Sequence, residues 1–458
     1  MDHVDLAIIG SGSGNSLVTP DFDGRRVAIV ESGTFGGTCL NVGCIPTKMF
    51  VYAAEVATTI RDSQRYGIDS TLDEVRWKDI RERVFGRIDP IAEGGKQYRL
   101  NGENTTAYLG RARFTGPRTL QIALNDGGTA LVEADQVVIA TGTHPSIPTQ
   151  LQNTGAPLHT SDTVMRLEEL PQRMVIVGGG YIACEFAHVF AALGVQVTLV
   201  VRGQQLLRHL DSEISHRFTD EAKKHWDIRF GTEVTDASAA EGNLANVELS
   251  DGTTVTQAVL LVATGRAPST ADLDLAAAGV QMHPDGRVKV DAHGRTNVEG
   301  VWALGDVSSD FQLKHVANHE ARVVAHNLAH PQDLRSFDES FVPAAVFTHP
   351  QIATVGATQD ELDEQGVDYA VKVQAYGDVA YGWATEDTSG VCKVLADKAT
   401  GRLLGAHIMG YQASILVQLL VQAMRFDLTV EQVARGQMWI HPALTEVVEN
   451  ALLGLDLT

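Results

Sequence analysis

Two cysteines five positions apart, Cys39 and Cys44, lie in the stretch Gly36-Gly37-Thr38-Cys39-Leu40-Asn41-Val42-Gly43-Cys44-Ile45-Pro46. Thiols at this spacing can form a disulfide that opens and closes in turnover. In a regular α-helix, residues at i and i+5 lie roughly 8 to 9 Å apart by Cα, beyond the roughly 7 Å that two cysteines can bridge. A bond therefore requires a distorted turn. Gly43 supplies the backbone freedom, and Pro46, which lacks an N–H, weakens the helical ladder just downstream. A strained pair is easier to reduce than a structural cross-link. Two unlinked thiols and half of a zinc site are the other readings. The remaining cysteines, Cys184 and Cys392, are solitary rather than paired at ligand spacing.

The elements that would position such a pair begin with Asp5-Leu6-Ala7-Ile8-Ile9, which reads as a buried strand. Gly10-Ser11-Gly12-Ser13-Gly14-Asn15 follows, and after Gly24 a second strand ends at Val30-Glu31. This is a βαβ nucleotide-binding unit: Gly10, Gly12 and Gly14 let the backbone approach a pyrophosphate at a helix N-terminus, and Glu31 can accept from a ribose hydroxyl. Asn15 takes the usual third small position, and Pro20 must shorten the helix. The pattern recurs at Met174-Val175-Ile176-Val177, followed by Gly178-Gly179-Gly180-Tyr181-Ile182-Ala183 and the strand Val195 to Val201. Here the strand ends in Val200-Val201-Arg202 with Arg208 beyond, where an NAD site would place an acid. An arginine pair suits a 2′-phosphate, so NADPH is expected over NADH, unless both arginines are merely solvated.

Strands ending in Ala140-Thr141-Gly142 and Ala263-Thr264-Gly265 close each nucleotide-binding region, and Gly300 to Val307 ends a further strand with Asp306. The expected organisation is a dinucleotide-binding domain over 1–150, a second over 151–265, resumption of the first over 266–338, and a separate α+β domain over 339–458. With 458 residues the chain needs several cores. A formal charge of -21 argues against nucleic-acid or anionic-membrane partners. The N-terminus enters directly into Val4–Ile9 with no basic leader, and no apolar run is long enough to cross a bilayer, so a cytoplasmic location is expected. In a reducing cytosol a disulfide is more often catalytic than structural.

With these residues in hand, the chain resembles the pyridine nucleotide-disulfide oxidoreductases over its whole length, through GSGSGN at 10–15, GGTCLNVGCIPTK at 36–48, GGGYIACEFA at 178–187, ATGRAP at 263–268, LGDV at 304–307 and HPALTE at 441–446. Stretches such as LKHVANHEARVV and YGDVAYGWATEDTSG are most similar to the mycothione-reducing branch of that family. The resemblance implies an α/β fold with two Rossmann-like domains, for FAD and NADPH, and a C-terminal α+β dimerisation domain. It implies FAD at the first site, with Gly10, Gly12, Gly14, Glu31, Thr38, Thr141, Gly142, Asp306, Leu313 and His315, and NADPH at the second, with Gly178, Gly180, Tyr181, Ile182, Arg202, Arg208 and Gly265. Lys48 and Glu185 would pair near the flavin. Tyr181 would cover the nicotinamide pocket, or is an ordinary packed aromatic.

By the same resemblance, Cys44 stays against the flavin as a thiolate while Cys39 attacks the substrate disulfide. His441, oriented by Glu446 and reaching across a homodimer, handles the proton. Charge bears on the substrate. Glutathione reductases carry an arginine on the first helix, whereas Asn15 to Asp23 contains no cation and includes Asp21 and Asp23. A neutral disulfide such as mycothione fits better than glutathione disulfide. An NAD-linked dihydrolipoamide dehydrogenase is the alternative, followed by another NADPH-disulfide reductase. A mercuric reductase would carry a C-terminal cysteine pair, and a flavoprotein serving mainly as a scaffold would lose part of the dithiol, histidine and glutamate set; all of that set is present.

Overall fold

The computed structural model describes every residue from Met1 to Thr458, and the chain divides into two compact units. The first unit gathers residues 1–47, 78–146 and 265–339. Its parallel strands Asp2–Ile9, Val27–Glu31, Thr129–Ile139 and Val301–Ala303 pair in register, with Ile8 opposite both Ile29 and Val138. These strands read as continuous apolar runs because both sheet faces are covered. Ala7, Ile9, Ala28 and Val137 pack into one core, and Leu6, Ile8, Ile29 and Val138 into another against helix Lys314–Ala329. Strands Thr105–Gly116 and Thr119–Leu124 complete the sheet as a meander.

The helix expected after the first glycine loop is reduced further than Pro20 alone suggested. Ser13–Leu17 forms one short 3-10 turn and Pro20–Phe22 another. The first site therefore has little helix dipole to offer an anion, in contrast to the second, where Tyr181–Ala192 is a full α-helix.

The second unit gathers residues 48–77, 147–264 and 340–458. Parallel strands Asp227–Phe230, Gln196–Val201, Arg173–Val177 and Thr254–Val262 form its Rossmann-like sheet, extended by two antiparallel strands. A separate antiparallel sheet runs Ala344–Val346, Gln351–Gly356, Leu403–Gly410, Val391–Asp397 and Tyr369–Ala375. Helices Ala413–Arg425 and Glu446–Leu453 cover it through Leu416, Leu420, Val447 and Val448. No helix is long and apolar enough to cross a membrane.

A fully buried ion pair ties these two sheets' elements together. Asp211 caps helix Ser212–Ala222 by accepting from the N–H groups of Glu213 and Ile214, and also accepts from Gln359 N at 3.2 Å. Lys393, on the interior strand Val391–Asp397, donates to it at 2.9 Å. Burial raises the Asp211 carboxyl, but Lys393, His407 and the Gln359 N–H pull it back below the ordinary carboxylate value. Stability from this pair is therefore present above the unfolded carboxyl pKa and is lost as acid protonates Asp211. Lys393→Met should cost about 3–5 kcal/mol, because it strands a buried carboxylate, and adding Asp211→Asn should recover part of that loss; urea unfolding of the three variants measures both.

Candidate active site

The dithiol is built by two helices and a glycine. Gly36 and Gly37, at φ +101° and +68°, lead into the short helix Gly37–Asn41, which carries Cys39. Val42 ends that helix, its N–H bonded to Thr38 O at 2.9 Å. At Gly43 a Cβ would stand 2.9 Å from Thr38 O and 3.3 Å from Cys39 Cα, so only glycine allows the chain to fold back here. Cys44 then opens helix Cys44–Asp62. The spacing that a regular helix would hold apart is brought together, and the Cys39 and Cys44 side chains share a hydrogen bond. Asn41 holds the loop by donating to Phe35 O at 2.8 Å and Gly37 O at 3.0 Å.

This hydrogen bond, burial and the negative charge of Cys44 push the Cys39 thiol well up, and Lys314 pulls the other way. The titration of each sulfur depends on the state of the other, and the Cys39 proton is held more tightly than on a free thiol. A base is needed before Cys39 can act as a nucleophile. No cluster of three or more His, Cys, Asp or Glu side chains is placed to hold a metal ion.

The dithiol loop lies directly on the first glycine loop, since a Cβ at Gly37 would stand 2.6 Å from Gly12 Cα. Gly10 is equally crowded, its absent Cβ falling 2.3 Å from Ala140 O. Glu31 accepts from Ser11 N and Oγ at 3.0 and 2.7 Å, and from Gly33 N at 2.8 Å. Asn15 is fixed by Arg99, which donates to its side-chain and backbone oxygens at 2.7 and 2.9 Å. Lys314, the residue between Leu313 and the exposed His315, donates to Ser13 Oγ at 2.8 Å. Asp306 accepts from Thr143 Oγ1 at 3.3 Å; burial raises its carboxyl, and Arg266, itself bonded to Thr143, opposes the rise.

Two observations fit this unit to a dinucleotide. Thr141 Oγ1 and Asn41 Oδ1 are buried side-chain atoms with no hydrogen-bond partner. The glycine loop that follows strand Asp2–Ile9 packs backbone to backbone at Gly10 and Gly12, the tight turn that dinucleotide-binding units place beside a pyrophosphate. Gly142, at φ +63°, accepts from Ser269 N at 2.9 Å, and the Ser269 hydroxyl meets His144 at 3.2 Å, so Ser269 is absorbed by the turn.

In the second unit, a Cβ at Gly178 would fall 2.4 Å from Ala263 O and one at Gly179 2.9 Å from Val201 Cγ1, whereas Gly180 faces open space. Gly180 caps helix Tyr181–Ala192 without a side-chain bond, leaving first-turn N–H groups for an anion. Tyr181 is exposed, Ile182 half-buried, and Gly265, in the first unit, adopts φ +123° and accepts from Ser146 N. Arg202 and Arg208 are both exposed but do not pair with each other's neighbours: Arg202 faces Glu233, and Arg208 faces His209.

Lys48 grips both oxygens of buried Glu185 at 2.7 and 2.6 Å and lies 4.5 Å over the Phe347 ring, while Phe347 N donates to Glu185 at 3.0 Å. His188, one turn along the same helix, is buried and pushed down to about 3 by desolvation, so it stays neutral beside His349. Lys48 is thus the cation that holds Glu185. His441 Nδ1 bonds Glu446 Oε1 at 2.7 Å, and that bond lowers the Glu446 carboxyl below its ordinary value. The second Glu446 oxygen accepts from Ala443 N at 3.2 Å. The sequence reading missed Arg99, Arg266 and Lys314. Lys314 sits between two residues it named, but nothing local marks its bond to Ser13, 301 positions away.

Residues 4–321 match the family described as pyridine nucleotide-disulphide oxidoreductase, and residues 342–452 match its dimerisation domain. A mycothione reductase of Mycobacterium tuberculosis is 56% identical over 462 residues, covering 99% of this chain and 100% of that one. A dihydrolipoyl dehydrogenase of Corynebacterium glutamicum is 33% identical, covering 99% and 98%. Among solved structures, the HOCl-induced flavoprotein disulfide reductase RclA from Escherichia coli superposes with a TM-score of 0.86 at 27% identity, covering 98% and 99%. Motifs, sheet architecture and likeness over the full length agree, and the chain belongs to the pyridine nucleotide-disulphide oxidoreductases, which work with FAD and a nicotinamide dinucleotide.

Proposed function

We propose that this protein reduces mycothione, the disulfide of mycothiol, with NADPH as reductant and FAD as the bound redox group. What carries the substrate is the 56% identity, over the full length of both chains, to a mycothione reductase. In this reading residues 1–150 and 266–338 bind FAD, 151–265 bind NADPH, and 339–458 join two copies. Asp21 and Asp23, exposed beside the first glycine loop, disfavour a polyanionic disulfide and leave a neutral one unaffected.

The chain's residues then act as follows. Cys39 Sγ, once deprotonated, attacks one substrate sulfur, forming a mixed disulfide and expelling the first thiolate. Cys44 Sγ attacks Cys39 Sγ, closing the Cys39–Cys44 bond and expelling the second thiolate. Each thiolate takes one proton, so each disulfide consumes two electrons and two protons. FAD supplies, when bound, the two-electron chemistry that carries reducing equivalents from NADPH back to the pair. Glu185 holds the Lys48 ammonium in one position, and Asp306, Thr141, Gly10 and Gly12 would hold the dinucleotide.

The base is the partner subunit's His441, with Glu446 holding its tautomer. His441 lies within the stretch matching the dimerisation domain, its side chain 72% exposed, and Met438 and Ile440 beside it are 99% and 75% exposed. A second copy covering that apolar strip would bury the imidazole and bring it to a dithiol.

Steady-state oxidation of NADPH and NADH with mycothione, glutathione disulfide and lipoamide offered in parallel tests the reading: turnover of mycothione with NADPH is expected, and preference for NADH with lipoamide would replace it by a dihydrolipoamide dehydrogenase. Cys39→Ser should lose disulfide turnover while bleaching of the yellow enzyme by NADPH persists; normal turnover would remove Cys39 from the mechanism. His441→Gln should lower kcat by about 10²–10⁴-fold with the dimer intact by sedimentation, and Glu446→Gln should cost less.

A further inference from the structure

Strand Gln196–Val201 ends without an acid, and an acid stands beyond the end of its neighbour. Strand Asp227–Phe230 runs parallel beside it, and the pairing continues past both ends: Thr232 N donates to Val201 O at 3.3 Å and Gly231 N to Gly203 O at 3.1 Å. Gly231 turns the chain there at φ +63°, a conformation that favours glycine. Glu233 follows, its backbone tied on the far side to Ser250 by bonds of 3.0 and 2.9 Å. Its side chain is 62% exposed and meets Arg202, 81% exposed, at 3.9 Å.

Parallel α/β sheets bind their ligands beyond the carboxyl ends of the strands, which is where Arg202 and Glu233 both stand. We propose that Glu233 is a specificity-determining residue that weakens this site's selection for the 2′-phosphorylated nucleotide. The inference rests on the reading of Arg202 and Arg208 as the 2′-phosphate pair. A phosphate arriving at Arg202 must displace the Glu233 carboxylate or sit beside it, and like charges in solvent repel. A nucleotide with a free 2′-hydroxyl meets no such repulsion, and a carboxylate is the acceptor such hydroxyls use. Glu233 thus narrows the advantage of the phosphate.

Isothermal titration of the oxidised, FAD-loaded enzyme with NADP⁺ and with NAD⁺ reads binding without turnover. Glu233→Gln should bind NADP⁺ about three- to tenfold more tightly, with NAD⁺ unchanged or weaker, and the gain should shrink in high salt. The double variant Arg202→Ala/Arg208→Ala is measured alongside. If it loses NADP⁺ selectively while Glu233→Gln leaves the NADP⁺/NAD⁺ ratio unchanged or lower, the inference about Glu233 is overturned and the arginine assignment stands. Equal loss of both nucleotides in the arginine variant overturns the assignment itself, and the inference with it.

Discussion

The redox centre depends on backbone approaching backbone where no side chain fits. Gly37 lies on Gly12, Gly10 on the Ala140 carbonyl, and Gly43 on Thr38 and Cys39, each so close that a Cβ would collide. The height of the sulfurs above the first glycine loop is therefore set by main-chain contact rather than by side-chain packing, which tolerates drift of a few tenths of an ångström. Asn41 reinforces this by bonding two carbonyls of the same loop.

Within that frame, electrostatics distinguishes cysteines that are chemically identical. Cys184 and Cys392 are sealed in apolar surroundings, and burial pushes Cys392 up to about 12 and Cys184 higher still, so neither forms a thiolate at working pH. Cys39 is also raised, first because its proton is engaged with Cys44 and then by burial. A base can release that proton, whereas nothing short of unfolding relieves desolvation. The Lys314 ammonium, tethered to Ser13, favours the anionic form of Cys39 and so opposes its neighbours.

Much of this was legible in the sequence because the features are local. Strands buried on both faces appear as unbroken apolar runs, as at Leu6–Ile9 and Val259–Val262, and glycine loops sit where those runs stop. Pairs closed across the fold were not legible. Lys393 interrupts the apolar run Val391-Cys392-Lys393-Val394-Leu395, and nothing in that pattern points to Asp211, 182 positions away, as the group it is buried against. Arg99 reads as the solvated end of a long helix, and its task of anchoring Asn15 emerges only when residues 84 apart meet. Spacing encodes turns and faces; it carries no address for a distant partner.

Glu31 shows a subtler limit. An acid at the end of the second strand of a βαβ unit reads as the acceptor for a ribose hydroxyl. In the structure its carboxylate is already engaged three times by the loops it faces, twice by Ser11 and once by Gly33. A carboxylate has about four acceptor sites, so some capacity remains on Oε1. The same residue thus ties the first glycine loop to the second strand and still has room for a ligand. At the second site the equivalent strand end is Val201, and no carboxylate there bonds the glycine loop; Leu207 N donates to Gly179 O instead. The first loop has only a 3-10 turn behind it and needs side-chain ties from Glu31, Arg99 and Lys314. The second has a twelve-residue helix to hold it, and its strand end carries no tie of that kind.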